Sequence, residues 1–416
     1  MKIVALTKEE FDNFAYHHKY STYYQTSAYA ETSRYEGLNT FYIGFVQDNE
    51  LVGVTLFLHK TVYLYYKYAY APRGFLIDYT DSKLVKNVTM GLINLLKKQH
   101  YAFIKIDPPI ICSERDNKGN IIYFSNTVNQ ILDTLKTNGY LHMGFNKYFE
   151  DYKPRLNAFI NLSHDLKEIY SNITKEAREK IEQSQNSGLE VLLDKTGDVD
   201  GLYQFIGNKN KKRRRRYYQG MYNNFSKNNA MDIFFIKVNT DNYLNNMKRE
   251  YDLEALKNDE LSALVQDFSI QDSEKQRIIN DKIKSDERLN NYKNELIYAT
   301  NLSRTNPDYF TIGAGFTIKH NNGVDLIIDS YLDDYLKFNP RYVFIWELIK
   351  KYKSEGFMYI NLNGVVGNFS KEKLGKYKTL NVPKLSFPST IIEYIGEFDL
   401  VINERIYNKY KEQLKK

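Results

Sequence analysis

Apolar and polar residues alternate with a period of two along "FYIGFVQDNELVGVTLFLHKTVYLYY", and Asp48-Asn49 falls between the two runs, which predicts a β-hairpin. In "DSKLVKNVTMGLINLLKKQHYAFIKIDPP" the pattern changes to a helix capped by Asp81 or Ser82, then a strand "AFIKI" that stops at Asp107-Pro108. "SNTVNQILDTLKTNGYLHMGF" repeats helix and strand, with Gly139 at the helix C-terminus. The same order returns late in the chain. "DYFTIGAGFTIKHNNGVDLIIDSYL" predicts a hairpin about Asn322-Gly323, and "RYVFIWELIKKYKSEGFMYINLNGV" a helix, a Gly356 cap and a strand. Hairpins interleaved with single helices imply a mixed α/β unit used twice, not a parallel dinucleotide-binding sheet. No G-x-G-x-x-G follows a strand and no Walker-type loop occurs, so no motif supports a bound nucleotide.

Between these units, residues 241–299 contain no proline or glycine and are dense in charged and amide side chains. Leu244, Met247, Tyr251, Leu261, Val265 and Phe268 fall on alternating spacings of three and four, with polar gaps at two positions. After a break near "SIQDSEK", Ile279, Ile283, Leu289, Tyr292 and Leu296 suggest a second, less regular helix. The pair predicts an antiparallel coiled-coil arm roughly 35–40 Å long.

Length and composition narrow the class. With 416 residues, 42% hydrophobic and 26% charged, the chain is globular and large enough for two or three domains. The lone Cys112 excludes an intrachain disulfide or a cysteine-based zinc site. The first residues, "MKIVALTKEEFDNF", lack the apolar run of an export signal, and no stretch approaches a bilayer span. A soluble cytoplasmic protein is expected, free to work at the membrane face. A net charge of +7 favours anionic partners mildly, since scattered lysines produce it. The densest charge is "NKKRRRRYYQGMYNNF". On a helix Arg213, Arg216 and Tyr217 would share one face while Arg214, Arg215 and Tyr218 point elsewhere.

Several strings, in order, resemble the Fem family of peptidoglycan interpeptide-bridge aminoacyltransferases: "YSTYYQTSAYAETSRYEG", "YAYAPRGFLIDY" with Phe75 where proline is usual, "IKIDP", "KPRLNAFINL", "FIWELIKKYKSEGFMYINLNGVVGNF" and "IIEYIGEF". The resemblance implies an α/β fold of two acyl-CoA N-acyltransferase-like (GNAT-like) units, residues 1–152 and 153–240 with 300–416, carrying the coiled-coil arm 241–299. It also implies no coenzyme A, no other cofactor and no metal. The implied reaction moves an amino acid from aminoacyl-tRNA to a stem-peptide amine of a lipid-linked or UDP-linked muropeptide. The protein would then be peripheral at the inner membrane face, alone, as a homo-oligomer or with a Fem-like partner. Drift in some motifs leaves open a non-catalytic paralogue, or a transferase acting on a lipid or protein amine.

By the same resemblance, Lys378, or its rival Lys376, lies beside the transferred carbonyl, where a cation stabilises the oxyanion. Asp107, ending a strand before prolines, would accept the amine proton or bind the stem ammonium. Arg73 would shape the cleft near Asp78 and Tyr79. Ser33 stands where relatives carry a phosphate-binding lysine, so that contact passes to Arg34 or is lost. Arg155 would contact phosphate, Arg213 and Arg216 a diphosphate or tRNA, and Tyr217 and Tyr218 would line the precursor channel. The segment "ITKEAREKIEQSQNSGLEV", basic in relatives, is diluted here by Glu176, Glu179 and Glu182. Asp107, Arg155 and the 376–378 segment are expected to border one cleft.

Overall fold

The structure is a computed structural model that describes every residue except 147, 208–212, 268, 270, 371–373, 415 and 416. In chain order its strands are β1 (Lys2–Ala5), β2 (Asn39–Gln47), β3 (Glu50–Tyr63), β4 (Tyr66–Ala71), β5 (Tyr101–Ile106), β6 (Ile111–Arg115), β7 (Ile121–Phe124) and β8 (Tyr140–His142). They continue with β9 (Leu156–Asn161), β10 (Leu189–Leu193), β11 (Met231–Asn239), β12 (Tyr309–His320), β13 (Gly323–Tyr331), β14 (Tyr359–Gly364), β15 (Ser389–Tyr394) and β16 (Phe398–Val401). The helices are α1 (Lys8–His17), α2 (Ser27–Arg34), α3 (Ser82–Lys98), α4 (Val128–Thr137), α5 (Leu166–Ser171), α6 (Lys175–Asn186) and α7 (Val199–Ile206). They are followed by α8 (Arg215–Phe225), α9 (Thr240–Gln266), α10 (Asp272–Thr305), α11 (Pro340–Ser354), α12 (Lys378–Ser386) and α13 (Glu404–Leu414). None of the described helices is long and apolar enough to cross a membrane.

Two mixed sheets result. One has the order β1-β2-β3-β4-β5-β16-β8, the other β10-β11-β12-β13-β14-β9-β15-β6-β7. Each contains one parallel pair joined by a helix, β4-α3-β5 and β13-α11-β14, which is the repeated GNAT-like unit expected from the sequence. The local signals are realised closely. Asp48 and Asn49 both take positive φ in the β2–β3 turn, Asp81 caps α3 by accepting from Leu84 N–H, and Gly139 is left-handed after α4. The second hairpin turns one residue earlier than predicted. Asn321 takes the positive φ, and Gly323 begins β13, where a Cβ would collide with the Tyr359 ring.

The sheets do not divide at residue 152. Hairpin β6–β7 leaves the first half to finish the second sheet, and β16, near the C-terminus, inserts between β5 and β8 of the first. Alternation alone shows that a strand exists, and it is the same for either sheet. A third apolar layer joins the two units. There Phe11, Tyr29, Val54 and Leu56 of the first half meet Tyr218, Met221, Phe225 and Phe316 of the second.

The arm is present as the helix pair α9–α10, about 40 Å long. Its seam differs from the expected one. Ile283 is 52% exposed, while Ser285, two residues on, is fully buried. The two polar gaps in the α9 pattern prove to be Glu254 and Asn258, which meet α10 in the seam. Asn258 donates to Ser285 and Asp286 at 3.1 and 2.9 Å, and Glu254 accepts from Ser285 and Arg288 at 2.7 and 2.9 Å. Polar seam positions of this kind fix register at a cost in stability. Phe268 lies outside the described residues.

The arm's root belongs to the body. Tyr243, Met247, Ala299 and Leu302 are buried in the core of the second unit. Losing a large core side chain costs about 2–5 kcal/mol, against about 5–15 kcal/mol for a whole domain. Excising 250–292 with a short linker should therefore leave one cooperative melt, whereas excising 241–299 should abolish it; equal melts for the two deletions would contradict this root.

Candidate active site

On one face of the second sheet, strands β9, β13, β14 and β15 floor a cleft of about 400 Å³. Its wall comes from the first unit: the loop Lys19 to Tyr24, with Arg73, Pro109 and Ile111. Ser21 in that loop is 2.8 Å from the imidazole of His320, and burial pushes His320 down to about 4, so the ring is neutral at physiological pH.

Among the residues singled out in the sequence, Arg73 alone lines this cleft. Buried Gln25 sets its turn by donating to Pro72 O at 2.7 Å and accepting from Leu56 N–H at 2.8 Å. The Arg73 guanidinium donates to Pro154 O at 2.7 Å and lies 4.7 Å over the Tyr394 ring. Asp107 does not project into the cleft. It is 1% exposed and accepts from Arg73 N–H and the Tyr70 hydroxyl at 2.7 and 3.1 Å, so it anchors the turn that presents Arg73. Tyr79 is also internal, its hydroxyl accepting from Phe75 N–H at 2.6 Å, while half-exposed Asp78 pairs with Lys19 at 3.1 Å.

The phosphate-binding candidates separate as well. Arg155 is buried and engaged by Glu150 at 3.0 Å and by Glu393. Arg34 turns outward to Glu31 and Thr40, and Ser33 beneath it is buried. Helix α8 starts only at Arg215, so Arg213 does not share a helical face with Arg216 and Tyr217. Arg213 instead pairs with Glu36 and stacks 4.3 Å over Tyr217, Arg215 pairs with Asp200, and Arg214 and Arg216 are exposed. Tyr218 is 2% exposed and belongs to the layer between the units. Basic and aromatic groups do converge near the cleft. Lys153, which the sequence reading passed over, lies 3.8 Å over the Tyr24 ring and 3.5 Å from the Tyr29 hydroxyl, and Arg213 carries the series on past Tyr217. Helix α6 neutralises its own bases through Lys180–Glu176 and Lys175–Glu179 pairs, and Arg178 donates to the carbonyls of Ser171 and Ile173.

The lysine expectation moves along α12. Lys376 and Lys378 are exposed at its start, and neither they, Asp107 nor Arg155 lines the cleft. Asn381 and Lys384, three apart, share the face turned to the sheet. There the ladder between β13 and β14 ends at Asp325 and Asn361, and the strands part. Asn381 satisfies both N–H and C=O of Val366, and the Lys384 ammonium donates to Gly364 O at 2.8 Å. Burial pushes Lys384 down to about 7, with Asp329 opposing the shift. Pro383 inside the helix obscured α12 in the sequence.

Asp325, the last residue of β13 paired with β14, was also missed. It lines the cleft, accepts from the Asn361 amide at 2.7 Å, and is pushed up to about 6 by burial, against that hydrogen bond and the Arg73 charge. Asp325 lines the cleft, whereas Lys384, held on Gly364 O beyond the same parting of the strands, does not line it.

The FemAB family matches residues 6–416. The chain belongs to the FemAB family. Aminoacyltransferase FemA of Staphylococcus epidermidis is 24% identical over 427 residues, covering 99% of this chain and 98% of that one. FemA of Staphylococcus aureus is 24% identical over 424 residues, covering 99% and 97%. A crystal structure of FemX superposes with a TM-score of 0.73 at 18% identity, covering 98% of this chain and 99% of that one. This FemAB member is thus an aminoacyltransferase whose two units and arm follow the family fold.

One consequence concerns pH. The folded Asp325 carboxyl lies above its ordinary value of 3.8, so stability is lost as pH rises from there through about 6. Asp325→Asn should raise the Tm above pH 7, by up to on the order of 2–3 kcal/mol of stability, and make no difference near pH 4. A lower Tm at pH 7.5 would contradict the burial of this charge.

Proposed function

We propose that this FemAB-family enzyme transfers an amino acid from aminoacyl-tRNA to a stem-peptide amine of a peptidoglycan precursor, in the cleft above Asp325. The observation that carries the reading is the placement of Asp325 and Lys384 at the parting of β13 and β14, with Arg73 closing the cleft opposite. Membership in the family, and the FemA relatives matched along nearly their whole length, support the donor and the acceptor.

The chemistry is aminolysis of an ester. Asp325 takes a proton from the incoming amine, whose nitrogen attacks the ester carbonyl; the C–N bond forms, charge grows on the carbonyl oxygen, and the C–O bond to ribose breaks. The ribose oxygen leaves with the proton. A carboxylate raised to about 6 is a better partner for an amine that titrates near 8–10 than an ordinary aspartate. Lys384 of α12 supplies the cation on the carbonyl side, reaching the backbone at Gly364, the residue after cleft-lining Asn363. Holding both reactants in attack geometry can contribute roughly 7–11 kcal/mol. Phosphates of the precursor meet Lys153 and Arg213 along the aromatic wall.

Incubation with charged tRNA and muropeptide should increase the precursor mass by one aminoacyl residue; no product with any charged tRNA would end this reading. Lys384→Met should lower kcat about 10²–10³-fold with little change in precursor KM, since oxyanion charge exists only in the transition state, whereas Lys378→Ala should change kcat less than about twofold. The reverse ranking would return the role to the start of α12. Asp325→Asn should lower kcat and remove the acidic limb of the pH–rate profile near 6.

A further inference from the structure

At the edge of the second sheet, β7 reads Ile-Ile-Tyr-Phe, and all four side chains are open: Ile121 53%, Ile122 59%, Tyr123 48% and Phe124 51% exposed. Edge strands are ordinarily blunted with lysine, proline or a charge, and β7 carries none of these. Four consecutive exposed apolar residues on an unpaired edge mark a surface that something covers.

Size and charge separate two candidate occupants, a second copy and a lipid surface. At roughly 100 Å² of open surface apiece, the four side chains present about 400 Å². Two copies pairing edge to edge would bury about 800 Å², below the roughly 1,200–2,000 Å² of a stable interface. A lipid surface has no such threshold of complementarity; it takes an apolar tip whose tyrosine sits at headgroup level, and anionic lipid attracts a basic protein. The chain as a whole is basic, with a net charge of +7, and Lys118 is exposed in the hairpin turn, which packs on Phe369 and the Leu385 carbonyl. Against Lys118 stand Glu114 and Asp116. The Asp116 carboxylate is occupied by the backbone N–H groups of Lys118 and Asn120 and by the Asn120 amide.

We propose that the β6–β7 hairpin is a membrane-docking element, in which Ile121, Ile122, Tyr123 and Phe124 enter the interfacial layer of a phospholipid bilayer and Lys118 meets its anionic headgroups. Its place relative to the cleft gives this a purpose. Tyr123 lies opposite Glu114, and Glu114 opposite cleft-lining Ile392, so β7 is two strands, about 10 Å, from the cleft on the same sheet face. Docking there brings the cleft mouth to the membrane plane, where a lipid-linked amine acceptor would be presented. The acceptor's chemistry rests on the proposed function; the docking itself does not.

The test uses the full chain and vesicles of phosphatidylcholine, with and without phosphatidylglycerol. The wild type should float with the anionic vesicles, less with neutral ones, and less again at high salt. The variant Ile121→Ser, Ile122→Ser, Phe124→Ser should partition at least about tenfold more weakly while keeping its melt and its turnover on a soluble UDP-linked acceptor. Tyr123→Trp, which keeps an aromatic ring at this position, should show a blue-shifted emission on adding vesicles over the constant signal of buried Trp346. Wild type that floats with neither vesicle, a serine variant that floats equally, or an unshifted emission from the Tyr123→Trp protein overturns docking. A wild-type dimer that the serine variant splits in light scattering overturns it in favour of a second copy. Turnover on the soluble acceptor reads the transferase proposal alone, so the two fail separately.

Discussion

One segment near the C-terminus holds the two sheets in register with each other. Residues 389–401 run from the interior of the second sheet, as β15, into the interior of the first, as β16, and their carboxylates collect cations from distant parts of the chain. In the second sheet Glu393 accepts from Ser113 and Arg115 of β6 and pairs with Arg155; burial works against its charge, but these partners hold it below the usual carboxylate range. In the first sheet Lys105 of β5 pairs with Asp399 at 2.7 Å and Glu397 at 3.4 Å, and Glu397 also accepts from Tyr152 N–H. Removing one partner of such a buried set leaves an uncompensated charge worth about 3–5 kcal/mol. The geometry of the cleft is a consequence, because its floor is β15 with β9, β13 and β14, and Arg73 of its wall follows β4 of the first sheet.

The cleft shows the same logic at smaller scale. Where β13 and β14 part, α12 supplies hydrogen-bond partners, Lys384 to Gly364 O at the end of β14 and Asn381 to both backbone groups of Val366 just beyond it. A lysine used to satisfy a carbonyl in a buried place cannot keep its full basicity, and an aspartate desolvated where the strands part cannot keep its full acidity. Structural repair of a split sheet and the poising of two ionisable groups are here one arrangement.

Much of the local structure was legible. The turn at Asp48-Asn49, the Asp81 cap, the left-handed Gly139 and the arm follow from patterns only a few residues long. Sheet membership was not legible, since β6 and β16 alternate as any strand does and their partners lie in the other half. The arm's seam was misread at Ile283 because the structure buries serine and asparagine there, a polar choice that apolar periodicity cannot find. At the site, residue types were anticipated better than positions. A lysine and an aspartate were expected, but Asp107 and Lys378 were chosen by motif, whereas the assembled sheets turn Asp107 inward, bring Asp325 to the cleft and bury Lys384 in place of Lys378. Which way a strand residue faces is a property of the assembled fold.

The crossing segment also constrains how the molecule can be made. Lys105 meets Glu397 across 292 positions of chain, so the first sheet, though its early strands leave the ribosome first, stays open between β5 and β8 until Phe398–Val401 have been polymerised. A nascent chain therefore carries an unfilled slot in an apolar sheet from the emergence of β8 to that of β16, a period in which chaperone protection matters most.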